Sequence, residues 1–167
     1  MTRPPIASSD FGSRLSRVPH AIGRTLRLPP REMLTTLRVV VTIGVVEVLI
    51  RSIRLPRLSR VLGCPVDLTP VQPDVEHLAI SELPAAPRRQ VRCTIRVARV
   101  WPFADGPCLR RTLVSGHLLR DLGPTIRLGV GRAGDTISAH AWLEIDGRPL
   151  ELVSGYEPFQ HRPQVAK

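Results

Sequence analysis

The chain has 167 residues, 43% of them hydrophobic and 23% charged, a composition that suits one globular domain with its own core and excludes a wholly disordered, collagen-like or coiled-coil chain. Lys167 is the only lysine among 24 basic residues set against 14 acids; the net charge of +10 favours acidic partners, while the arginine bias itself reads as codon usage. Cys64, Cys93 and Cys108 form no CxxC pair, which argues against a disulfide framework and for a reducing, cytoplasmic compartment.

Residues 1–30 are rich in Pro, Ser and Arg and read as a flexible arm with no signal-peptide core. From Arg31 to Leu55 apolar residues recur at helical spacing after Pro29-Pro30, which predicts one helix, softened at Gly44. Its uncharged stretch, Val39 to Val46, is far shorter than the ~20 residues a bilayer span needs, so no transmembrane segment is expected. Arg51, Arg54, Arg57 and Arg60 follow at intervals of three with no acid between them, either a solvated face or a docking stripe for an acidic surface. The proline-dense residues 63–87 read as an irregular connector. A second helix is expected over Arg88–Val100, ended by Trp101-Pro102.

Cys108 to Leu122 predicts a helix opened by Pro107 and closed by Gly123-Pro124, with His117 on its surface side. Thr125–Val130 alternates like a strand, Gly131–Gly134 reads as loop, and Ile137–Ile145 alternates again. Asp146-Gly147 then supplies a hairpin turn into a strand from Arg148 to Val153. Helices followed by an antiparallel sheet make an α+β pattern.

The chemistry concentrates in this last third. Cys108 sits in the first turn of its helix, where unsatisfied N–H groups and the helix dipole favour a thiolate. His140 lies mid-strand in Ala139-His140-Ala141-Trp142. With Asp146-Gly147 as a two-residue turn, Ile145 faces Arg148, Leu143 faces Leu150 and Trp142 faces Glu151. His140, Trp142, Glu144 and Glu151 then share one face, and Glu151 is the diagonal neighbour of His140. Glu144 and Asp146 are farther along, about 13 and 20 Å from His140 at ~3.3 Å per residue. Cys108, His140 and Glu151 thus form a candidate nucleophilic triad, with Trp142 a packing residue beside it.

Cys108-Leu109-Arg110-Arg111, Leu118-Leu119-Arg120, Gly123, Leu128-Gly129-Val130 and His140-Ala141-Trp142-Leu143-Glu144 together resemble the lasso-peptide leader peptidases. These are transglutaminase-like cysteine proteases, the stand-alone protease form of the B protein. The likeness covers residues 91–153 and extends more loosely to the helix near residues 33–62. It implies a transglutaminase-like (papain-like) catalytic domain over residues 88–167, preceded by a helical segment and connector over 31–87. It further implies a precursor peptide as substrate, a small leader-binding protein that presents it, and a downstream lasso cyclase that uses ATP. No cofactor or metal is required. The family's third catalytic residue is usually Asp, where this chain offers Glu151.

Three other readings use the same residues. A transglutaminase-like acyltransferase would keep the triad and pass the acyl group to an amine. A nucleic-acid-binding module would rest on the +10 charge, but aromatics are only 4% and no stacking motif is present. Zinc binding by the three cysteines, His117 and His140 lacks the short paired spacing such sites show.

Overall fold

The computed structural model describes residues 29–69, 75–102, 107–133, 136–150 and 156–158. Helix α1 spans Pro30–Ser52 and α2 spans Leu55–Val61. Helices α3 (Ala85–Val100) and α4 (Pro107–Leu118) follow, then a 3-10 turn over Arg120–Leu122. The strands are β1 (Thr125–Ala133), β2 (Thr136–Ile145), β3 (Arg148–Pro149) and β4 (Tyr156–Pro158), in the sheet order β3-β2-β1-β4. All the described pairings between these strands are antiparallel. The α+β class expected from the sequence is what forms.

Helix α1 runs unbroken through Gly44 and stops three residues before the expected end. Pro56 explains the stop: its ring would collide with the carbonyl four residues back, at Ser52, and it lacks an N–H to donate there. Ile53 and Arg54 are accordingly extended, and Pro56 sits in the first turn of α2, where no N–H is needed. The arginine stripe is therefore split, Arg51 on α1 and Arg57 and Arg60 on α2, with all four residues exposed.

A count of uncharged residues also underrated α1. Arg38 and Glu47 are the only charges from Met33 to Ile50, and the 23-residue helix, with a mean hydropathy of 2.1 over its most apolar window, is long and apolar enough to cross a membrane. Its inner side nevertheless belongs to the core: Val39, Ile43 and Val46 pack with residues of α3 and α4.

Two further expectations change. α3 starts at Ala85 rather than Arg88, because Pro87 falls in its first turn, where proline is tolerated. Gly131 is strand rather than loop: it pairs with Ser138 on one side and Tyr156 on the other, and two ladders outweigh glycine's weak strand preference. The described residues of the connector before α3 are irregular as read, except that Val66 makes a parallel bridge to Ile126, with Asp67 N–H donating to the Ile126 carbonyl at 2.9 Å.

α4 is the helix the others surround. It packs against α1, α3 and both long strands. Leu113 and Val114 are fully buried, and Thr112, Ser115 and Gly116 are buried beside them. Gly116 permits the closest approach: a Cβ there would lie 2.7 Å from Cys64 and 3.3 Å from Leu143. After α4 and the 3-10 turn, Gly123 takes the left-handed conformation, φ 60°, that lets the chain reverse into β1.

Candidate active site

Cys108 follows Pro107 in the first turn of α4 and is half-buried, whereas Cys64 and Cys93 are buried. Burial pushes the Cys64 thiol up to about 12, which removes it as a nucleophile at neutral pH. Cys93 accepts a contact from the Thr36 hydroxyl at 3.7 Å. Of the three, Cys108 alone combines access with a helix N-terminus.

Two ties fix the first turns of α4. Two residues past Cys108, Arg110 forks onto Glu47 of α1, with Nε on one carboxylate oxygen and Nη2 on the other at 3.1 Å. Glu47 is buried on the inner side of α1. The Arg110 hydrogen bonds and the nearby charges of Arg110 and Arg51 hold its carboxyl below the ordinary value of 4.5 despite burial. One turn past Cys108, the Thr112 hydroxyl donates to the Ala141 carbonyl at 3.0 Å.

That second bond locates the helix against β2. The Leu143 carbonyl accepts from Leu150 N–H at 2.9 Å, so it points to the edge where β3 lies. Every second carbonyl of a strand points the same way, so Ala141 presents its own to that edge, and there Thr112 takes it. Gly116 meets Leu143 and Thr112 meets Ala141, so helix and strand run in step: four helical residues rise about 6 Å, two strand residues about 6.6 Å. The same helix begins beside Cys108, one turn before Thr112, and the same strand carries His140 next to Ala141.

The His140 ring stacks on Trp142, centroids 6.2 Å apart and planes 19° from parallel. Trp142 Nε1 donates to Glu144 at 3.2 Å, and Arg127 holds the other Glu144 oxygen at 2.8 Å. Arg127 also reaches Asp67 at 3.0 Å and the Thr69 carbonyl at 2.6 Å. Trp142, Glu144 and Arg127 are all buried. Backbone and side-chain hydrogen bonds from Thr69, with the Arg127 charge, keep the Asp67 carboxyl below its usual range. Glu144 thus supports the tryptophan on which the imidazole lies.

The hairpin register is as expected: Ile145 pairs with Arg148 and Glu144 with Pro149. Asp146 (φ 52°) and Gly147 (φ 73°) form the left-handed pair of a type I′ turn. Glu151 lies outside the described residues. His117 is half-buried rather than a surface residue, because its Nδ1 bonds the Leu62 carbonyl at 3.2 Å. The Glu47–Arg110 and Arg127–Glu144 pairs escaped the sequence reading, although a lone acid near the buried side of an apolar helix was a signal that a cation would meet it.

The sequence pattern of the transglutaminase-like superfamily matches residues 43–161, well over half of the chain. The chain belongs to this superfamily. Its members are typically cysteine-dependent enzymes with protease or acyltransferase chemistry. The matched span contains Cys108, His140 and Glu151. No curated protein and no solved structure matches the chain.

Proposed function

We propose that the protein is a cysteine peptidase that removes the leader from a ribosomally made lasso-peptide precursor. The observation that supports the chemistry is the half-buried Cys108 in the first turn of α4, a helix tied to the His140-bearing strand by the Thr112–Ala141 bond. The narrower substrate rests on the resemblance of residues 91–153 to lasso leader peptidases. His140 takes the Cys108 proton, and the thiolate attacks the scissile carbonyl. The Cys108 N–H faces the resulting oxyanion. The intermediate collapses to a thioester on the leader's last residue, and the core peptide leaves as an amine that receives the proton from His140. Water, deprotonated by His140, then hydrolyses the thioester and frees the leader as a carboxylic acid. Glu151 orients the imidazole and stabilises its charged form. The reaction takes place in the cytoplasm, with a small leader-binding protein presenting the precursor and the lasso cyclase acting on the product.

The test is mass-spectrometric detection of leader release from precursor and leader-binding protein. Cys108→Ala and His140→Ala abolish cleavage, a loss of several orders of magnitude. Glu151→Gln lowers turnover less than either, but more than Glu144→Gln. Near-normal cleavage by Cys108→Ala overturns the proposal. Transfer of the leader to an added amine in preference to water assigns the acyltransferase reading instead.

A further inference from the structure

Helix α1 is apolar on two opposite sides. Val39, Ile43 and Val46 face the core, and half a turn round, Leu34, Leu37, Val41, Val45 and Val48 are between 49% and 70% exposed. Their spacing of three and four residues draws one stripe about 21 Å long at 1.5 Å per residue. A Cβ added at Gly44, beside the stripe, would meet nothing within 4 Å, so the surface there is open. A helix that served only the core would turn polar side chains outward. A continuous exposed apolar stripe is an interaction surface.

The charge around the stripe selects the occupant. Arg31 and Arg38 are exposed and lie along one flank. The acids of α1 are turned away: Glu32 pairs with Arg96 at 3.1 Å, and Glu47 is buried with Arg110 and Arg51. Exposed Arg54, Arg57 and Arg60 follow directly. A second copy of this face would set cations against cations. Residues 1–28 match it no better, since Asp10 is their only acid against five arginines. An apolar stripe rimmed by arginines is complementary to anionic lipid, whose acyl chains take the leucines and valines while its phosphates take the guanidiniums.

We propose that α1 docks the protein on an anionic membrane surface, lying in the interface with the Leu34–Val48 stripe towards the acyl chains. The helix lies on the membrane rather than across it, because its other side remains packed in the core around the Glu47–Arg110 pair.

The experiment is co-sedimentation of the full chain with vesicles of phosphatidylcholine alone and of phosphatidylcholine with phosphatidylglycerol. Binding to the anionic vesicles is expected to be at least about tenfold tighter and to weaken as salt rises. A Leu37→Gln, Val41→Gln, Val45→Gln variant loses at least about tenfold in affinity with its melting temperature unchanged, since these side chains are exposed. Arg31→Gln with Arg38→Gln costs roughly tenfold on the anionic vesicles alone. Equal binding to both vesicles, or no binding, overturns the proposal. So does a concentration-dependent dimer that the apolar variant abolishes, which assigns the stripe to a second copy. Binding that appears only after residues 1–28 are deleted overturns it as well, by assigning the stripe to that segment.

Discussion

Arg110 and Glu47, 63 residues apart in the chain, form a two-pronged ion pair that ties the first turns of α4 to α1. Because Arg110 is two residues past Cys108, the helix that begins beside Cys108 is held from both sides, by Glu47 on α1 and by the Ala141 carbonyl on β2. The candidate site residues lie in the C-terminal half, but the helix that begins beside Cys108 is anchored to a residue in the N-terminal third of the chain.

Glu47→Gln tests this dependence. Removing the carboxylate charge weakens the hold of α1 on the half-buried Arg110, which costs about 2–4 kcal/mol and lowers the melting temperature by about 5–12 °C. The depressed carboxyl value fixes the pH dependence. The pair's contribution is present above the ordinary 4.5 and is lost as pH falls through the lower folded value. Thermal melts of both proteins across acidic pH should therefore converge below 4.5; a constant gap would show that Glu47 acts without its charge.

Alkylation distinguishes the cysteines. Iodoacetamide at neutral pH labels Cys108 in the native protein and spares Cys64 and Cys93, because two are buried and the Cys64 thiol stays protonated up to about 12. Peptide mapping before and after denaturation reads the difference. Prompt labelling of Cys64 in the native state contradicts its packing against Gly116.

Glu144 and Asp146 should respond in opposite ways. Glu144→Gln weakens the hold on Arg127 and on the Trp142 indole, lowering stability by about 2–4 kcal/mol and loosening the surface on which His140 stacks. Asp146→Asn stays within about 0.5 kcal/mol, since the residue is exposed and asparagine tolerates its left-handed conformation. Melting curves and turnover measured together separate the two.

Gly116→Ala is expected to destabilise by about 1–3 kcal/mol although alanine is the better helix former. The new Cβ would sit 2.7 Å from both the Cβ and Sγ of Cys64, and the Cβ atom cannot rotate away. A chemical denaturation midpoint equal to that of the parent would mean that the Cys64 segment shifts freely.

The sequence by itself determined the α+β class, the helix that begins beside Cys108, the His140 strand and the hairpin register. Each follows from local chemistry: Pro107 opens a helix, Gly123 ends the helical region, alternation makes a strand, and Asp146-Gly147 fits a type I′ turn. The extent of β1 was not legible, because Gly131 is strand only through partners on both sides. Nor was the role of Glu144, which follows from Arg127 and Trp142 closing round it. Tertiary structure also decided which face of α1 is buried. Both faces carry the same Leu, Ile and Val at helical spacing, and only contact with α3 and α4 tells Ile43 from Val41. Periodicity records that a side chain is apolar; what it meets is settled by elements far away in the chain.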